Sequence, residues 1–437
     1  MHSYVWHPYT QMNQWPDFDV ITSGKGMWLQ DSKGNRMLDG VASMWCNVWG
    51  HSKDELVRAM ITQTRKLQHS SLFNLTNDKA EDLAAKLVGL APGMHKVFYS
   101  DDGSTAMEIS AKMALQYWHN KGKKKKTKFV TLENGYHGDT IGAMSLGYVH
   151  SFFSRYKSTL FPTIRIPVPN SYRIPSGFTL EEFQDKCIDR IEKTLSQNDN
   201  IAAFVMESGA QVAGGVIIYP DGFQRKIGAL CKKHDVLFIL DEIATGFGRL
   251  GSMIEYQSQK SIPDIVSFGK MLTAGYLPLA ATLASKKVYD AFLGRYQDMR
   301  HFFHGHTFTG NPLACATAIS NLSLYKKYSI ISQVKKRSLQ LQKRVDEISE
   351  LELVGDVRHK GMLMGIELVS SKARKSPVAP EKNIQKKIFS EAKKHKIYLR
   401  TLGHIVMLVP PLAIPETELD FLIDGTIDTI RKVAKKI

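Results

Sequence analysis

Val236-Leu-Phe-Ile-Leu-Asp241 runs five apolar residues into one carboxylate, and Glu242-Ile-Ala-Thr-Gly-Phe-Gly-Arg249 follows directly. A second apolar stretch, Asp264-Ile-Val-Ser-Phe268, then delivers Gly269-Lys270, so that Lys270 stands 29 positions after Asp241. Short, almost unbroken apolar runs read as central strands of a parallel sheet, buried on both faces. In open α/β folds the binding crevice lies outside the carboxyl ends of such strands. Two strands ending in an acid and an amine therefore place Asp241 and Lys270 at one site.

That pair meets two needs of pyridoxal 5′-phosphate (PLP): a lysine to form the Schiff base and a carboxylate to hold the pyridine nitrogen. Taken alone it fits equally an ordinary strand-ending Asp and a solvated loop lysine. Further segments bear on the choice. In Tyr99-Ser-Asp-Asp-Gly-Ser-Thr-Ala-Met-Glu108 a strand ends near Ser100, and a helix opens at Ser104 with Ile109, Met113 and Tyr117 on one face. Gly103 and Ser104 at that N-terminus offer free N–H groups, a hydroxyl and the positive end of the dipole to a phosphate. The same residues also read as a plain N-cap with no ligand. Asn134-Gly-Tyr-His-Gly-Asp139 follows the strand-like Lys128-Phe-Val-Thr-Leu132, and its tyrosine can lie flat on a planar cofactor or belong to a surface turn. In His304-Gly-His-Thr-Phe-Thr-Gly-Asn-Pro312, glycines bracket threonines that could contact phosphate.

Taken in this order along the chain, these segments resemble the class III aminotransferases of PLP fold type I, from Trp6 to about Pro411. The resemblance implies an α/β fold with a large domain built on a mostly parallel central sheet and a smaller α+β domain. It assigns catalysis to Lys270, Asp241 and Tyr9. Gly103, Ser104, Tyr136, Asp241, Lys270 and Thr307 would bind the cofactor, with Thr307 supplied by the other subunit of a homodimer. Tyr9, Trp45, Tyr136, Gly305 and Arg400 would meet the substrate, Arg400 by gripping its carboxylate. Asp139 and Arg249 match motif positions but receive no role.

Three more segments narrow the resemblance: His7-Pro-Tyr-Thr-Gln-Met12, Asp39-Gly-Val-Ala-Ser-Met-Trp45, and Leu399-Arg-Thr-Leu-Gly403 before Met407-Leu-Val-Pro-Pro411. They are similar to the members that aminate 8-amino-7-oxononanoate in biotin biosynthesis. The commoner pattern has two adjacent tryptophans where this chain has Met44-Trp45, and a proline where it has His306. These variants look like a subset that takes its amino group from lysine rather than S-adenosylmethionine, so both donors stay open. Ornithine and 4-aminobutyrate transaminases of the same class are the alternative enzymes, and an idle PLP-fold binding protein is the alternative outside catalysis.

Composition bounds the remainder. A chain of 437 residues, 43% hydrophobic and 23% charged, suits a two-domain globular enzyme. The expected division is 1–48 as the N-terminal part of the small domain, 49–322 as the PLP-binding domain and 323–437 as the C-terminal part of the small domain. No apolar run is long enough for a membrane span, and the first residues lack the pattern of a signal peptide. Cys46, Cys187, Cys231 and Cys315 are scattered, which fits a reducing cytoplasm and neither a disulfide framework nor a metal site. Much of the net charge of +16 sits in Lys121-Gly-Lys-Lys-Lys-Lys-Thr-Lys128. Without interleaved aromatics this run reads as a solvated loop rather than a nucleic-acid site.

Overall fold

The computed structural model describes residues 3–15 and 17–437. Its largest sheet has seven strands, in the order Met94–Ser100, Ala280–Ser285, Ile265–Phe268, Leu237–Asp241, Ile201–Glu207, Lys128–Leu132, Ile164–Ile166. The expected buried runs form its centre. Every residue of Ile201–Glu207, Leu237–Asp241 and Ile265–Phe268 is buried, as strands covered on both faces must be. Asp241 pairs with Glu207 on one side and Ser267 on the other, so these strands end together along one edge.

One strand runs against the rest: Ala280–Ser285 is antiparallel to both Ile265–Phe268 and Met94–Ser100. The connection 269–279 holds only a short 3-10 turn, Lys270–Thr273. A link of that kind suits an antiparallel return, whereas a parallel neighbour needs a longer crossover. The sheet is therefore mostly parallel, in agreement with the fold class expected above.

A second, antiparallel sheet is formed by Val354–Lys360, Leu363–Ser371, Ile405–Leu408 and Arg400–Leu402, with Ser376–Pro377 on its margin. A third joins the two ends of the chain. Ile21–Lys25, Trp28–Asp31 and Arg36–Asp39 form a meander, and Ile397–Tyr398 pairs in parallel with Arg36–Asp39. Gly40 extends this junction, donating its N–H to the Tyr398 carbonyl and accepting from Val409 N–H. A side chain at Gly40 would put its Cβ 2.7 Å from the Tyr398 oxygen, so only glycine allows the approach. This contact sets the 41–46 turn, which carries Trp45, beside the strand that carries Arg400.

The helix Gly103–Asn120 starts on a capping box between Asp102 and Thr105 and buries Ile109, Met113 and Tyr117, the face read from the sequence. The lysine run is exposed as expected, except at Lys126. Lys126 is buried, donating to the carbonyls of Asp235 at 2.6 Å and Ile201 at 3.2 Å, with its ammonium 4.4 Å above the Trp118 ring. Lys123 reaches Asp235 and the same ring. Tertiary carbonyls and one indole thus draw Lys126 out of solvent, which local composition does not reveal, while Lys123 stays exposed. No helix among the described residues is long and apolar enough to cross a membrane.

Candidate active site

At the carboxyl edge of the large sheet lies a cleft of about 490 Å³, lined by Lys270, Asp241, Gly103, Ser104, Tyr136 and Trp45 among others. Each arrives by a simple local route. Asp241 is the last residue of its strand, and Lys270 follows Phe268 after one glycine. Gly103 and Ser104 open their helix, and first-turn N–H groups have no intrahelical partner. Tyr136 stacks on Phe153 at 6.0 Å and 17°, which fixes the plane of its ring.

Asp241 is oriented from two directions. Ile243 N–H donates to Oδ1 at 2.9 Å, and His137 Nδ1 lies 2.8 Å from Oδ2, with both side chains buried. The sequence reading gave His137 no role; its ring is what aims the carboxylate. Glu207, at the end of the neighbouring strand, accepts N–H bonds from Val212 at 2.9 Å and Tyr136 at 3.2 Å. Burial lifts its carboxyl to about 7, with His137 opposing and Asp241 assisting. This residue was also missed, although Ile201-Ala-Ala-Phe-Val-Met-Glu207 carries the same signal as the Asp241 strand.

Lys270 is half-buried in the cleft wall, and its Nζ makes no hydrogen bond or ion pair within the described residues. Its nearest aromatic face is Trp45, 5.6 Å from the ring centroid. Burial holds the amine below its ordinary value, against the opposing pull of Asp241 and Glu207. Backbone strain gathers around the cleft, with positive φ at Lys270 (41°), Trp45 (63°), Ser43 (60°) and Tyr9 (51°). Such conformations persist only where the surroundings impose them, and they concentrate at functional sites.

These features fit PLP. The free N–H groups of the Gly103 turn suit a phosphate, Asp241 is held for a ring nitrogen, and the Lys270 amine is untethered. Gly138 must stay bare for the Tyr136 loop to close on that turn, since its Cβ would stand 2.2 Å from Ser104 Oγ. Trp45 Nε1 is buried without a partner, a donor left for a bound molecule.

Tyr9 and Arg400 lie in an adjoining cavity of about 440 Å³, and Met44 lines both spaces. Arg400 Nη1 is 2.6 Å from Met44 Sδ, and its guanidinium lies 5.9 Å from the Tyr9 ring centroid. Tyr9 donates its hydroxyl to Asp139 Oδ1 at 2.6 Å, which gives Asp139 a role the sequence did not supply. Burial, and then this bond, raises the Tyr9 phenol. Arg249 is fully enclosed and donates to the carbonyls of Met362 at 2.9 Å and Pro410 at 2.7 Å. It ties the loop after Asp241 to the antiparallel sheet and stays out of the chemistry. Gly305 and Thr307 are not brought into this cleft. Thr307 is exposed, and Gly305 lines a separate groove against Phe73.

Residues 10–430 match the family described as Aminotransferase class-III. A protein of Geobacter sulfurreducens named adenosylmethionine-8-amino-7-oxononanoate aminotransferase is 45% identical over 98% of this chain and 96% of its own. The crystal structure of the protein of that name from Methanocaldococcus jannaschii superposes with a TM-score of 0.92 at 38% identity, covering 98% of this chain and 97% of the other. An omega transaminase from Pseudomonas jessenii, solved in complex with PMP, gives a TM-score of 0.94 at 29% identity over 99% of this chain and 97% of its own. Since the match takes in all three sheets described above and the strands that carry Asp241 and Lys270, the chain belongs to the class III aminotransferases.

Proposed function

We propose that this aminotransferase moves an amino group onto the ketone of 8-amino-7-oxononanoate, giving 7,8-diaminononanoate for biotin synthesis, with PLP as its cofactor. The observation that carries the reading is the meeting of two sets of residues at Met44: Lys270 and Asp241 on one side, Arg400 and Tyr9 on the other. Near-full-length relatives named for that substrate support it.

When bound, PLP supplies an electron sink that lets a proton leave the carbon beside the amine. Lys270 Nζ, whose charged form burial disfavours, takes that proton from the donor carbon and later returns one to the acceptor carbon. Asp241, aimed by His137, keeps a proton on the ring nitrogen. Tyr136 covers the ring, and the N–H groups of Gly103 and Ser104 hold the phosphate. Arg400 grips the acceptor's carboxylate with its planar guanidinium. Trp45 and Tyr9 cover the methylenes between that carboxylate and the ketone, at about 0.8 kcal/mol per buried CH₂. By this reading residues 49–322 hold the cofactor, while 1–48 and 323–437 bring Trp45 and Arg400 to it. The first donor to test is S-adenosylmethionine, named in the relatives. Lysine is the second, because of Met44 and His306.

Arg400→Ala removes two parallel charge-assisted bonds. The expected cost is about 3 kcal/mol, a rise of roughly a hundredfold in KM for 8-amino-7-oxononanoate. The half-reaction with the amino donor is hurt far less. Stopped-flow measurement of the two half-reactions checks this, and equal damage to both would make Arg400 a support of the fold or cofactor instead.

The active form is a homodimer in which Thr307 reaches the phosphate of the partner's cofactor. Its exposure supports this, as do the exposed rings of Phe308 (55%), Phe303 (59%) and Phe73 (64%) around that loop. Thr307→Asp sets a negative charge against the phosphate and inactivates, as Lys270→Ala does. Refolding the two variants together rebuilds one intact site per mixed dimer, returning about a quarter of wild-type activity at equal mixing. No recovery, or a fully active monomer by sedimentation, would exclude shared sites.

A further inference from the structure

The segment 167–177 leaves the edge strand Ile164–Ile166 of the large sheet and ends on the antiparallel sheet, where Arg173 meets a buried carboxylate. Arg173 Nη2 donates to Glu367 Oε1, and Nη1 donates to the Lys375 carbonyl at 2.9 Å. The other oxygen of Glu367 accepts from Arg358 Nη1 at 2.7 Å, which also holds Asp356 at 2.8 Å. Glu367 side-chain exposure is 3%. Burial alone would raise its carboxyl, but His404 and the two guanidiniums outweigh burial and hold it at about 2. The backbone of the segment is tied down as well, Lys375 Nζ donating to the Tyr172 carbonyl at 2.7 Å. Gly355 is bare beneath Tyr172, where a Cβ would stand 2.4 Å from the phenol oxygen.

Glu367 reaches toward the strand of Arg400. It pairs with Ile405, its Oε1 lies 3.3 Å from His404 Nε2, and Leu368 N–H donates to the His404 carbonyl at 3.0 Å. Gly403 and His404 form the turn that joins Arg400–Leu402 to Ile405–Leu408, in which Arg400 pairs with Met407. One carboxylate therefore connects the sheet that carries Lys270 to the turn of the hairpin that carries Arg400. Arg358 meets that carboxylate from within its own sheet but divides its charge with Asp356. Because Arg358 is shared in this way, Arg173 brings the second positive charge to these two carboxylates, and it is the one that arrives from outside the antiparallel sheet, which fixes a position between the two sheets.

We propose that Arg173, acting through Glu367, is a positioning residue that sets the distance from Arg400 to the Lys270 cleft. It thereby matches the clamp to the length of the acceptor. The proposal rests on the reading of Arg400 as the carboxylate clamp. A fixed chain of methylenes separates the acceptor's carboxylate from its ketone, so a shift of the hairpin by about 1 Å misplaces the reacting carbon.

The test uses the full-length holoenzyme and the variants Arg173→Gln, Arg173→Lys, Arg400→Ala and Arg173→Gln/Arg400→Ala. Arg173→Gln is expected to raise the KM for 8-amino-7-oxononanoate about tenfold, with the donor half-reaction and the visible absorbance of bound PLP unchanged. Arg173→Lys, which keeps the charge, recovers most of that loss. In the Arg400→Ala background the Arg173→Gln penalty disappears, because a residue that works through another has no effect once the other is gone. The proposal is overturned by a KM within about twofold of wild type, by equal loss in both half-reactions, or by a penalty that persists in full without Arg400. An unchanged KM in Arg400→Ala alone would refute the clamp itself, separately from the role of Arg173.

Discussion

Lys270→Ala is expected to lose turnover by about 10⁴-fold or more and to lose the visible absorbance of covalently held PLP, with far-UV circular dichroism unchanged. Lys270 follows the Ile265–Phe268 strand into the cleft, and among the described residues no other lysine lines it. Its Nζ is not tied into any ion pair of the described residues, so the substitution removes no structural bridge. PLP can still be held at the Gly103 turn through its phosphate, which equilibrium dialysis would detect. Substantial turnover with the absorbance intact would end the assignment of Lys270.

Asp241→Asn is the second large effect. An amide keeps the size of the carboxylate and can still accept from Ile243 N–H, but it cannot hold a proton on the ring nitrogen. Its loss falls mainly on the transition state, so kcat drops by at least about a hundredfold while KM moves little. His137→Phe should reproduce part of this loss, since the imidazole orients the carboxylate and touches no substrate. A kcat within about threefold of wild type in Asp241→Asn, less than ~1 kcal/mol of barrier, would deny it the ring nitrogen.

The central strands were legible because burial on both faces demands unbroken apolar runs, and a run that stops at a charge marks the edge where chemistry sits. Asp241 and Lys270 are placed at one edge on that basis, as Glu207 could have been, while the Gly103 turn is read from its helix N-terminus. The reversed direction of Ala280–Ser285 was not readable, because an apolar pattern carries no sense of direction. His137 was missed because a histidine between turn residues looks the same whether it faces solvent or a carboxylate 104 positions away. Arg173 and Glu367 stand 194 residues apart, and nothing local marks either as half of a pair. Lys126 misled for the converse reason: a lysine run looks solvated until a distant strand offers it carbonyls.

The most direct measurement of the central claim is a single turnover with the acceptor. The enzyme is loaded with pyridoxamine 5′-phosphate and mixed with 8-amino-7-oxononanoate, and separately with succinic semialdehyde and glutamate semialdehyde as acceptors matched to the 4-aminobutyrate and ornithine enzymes. Product is followed by mass spectrometry and the cofactor by its absorbance. The account predicts 7,8-diaminononanoate in one equivalent per site, with a kcat/KM at least about a hundredfold above the other acceptors. Comparable or faster turnover of either semialdehyde, with no 7,8-diaminononanoate formed, would contradict it.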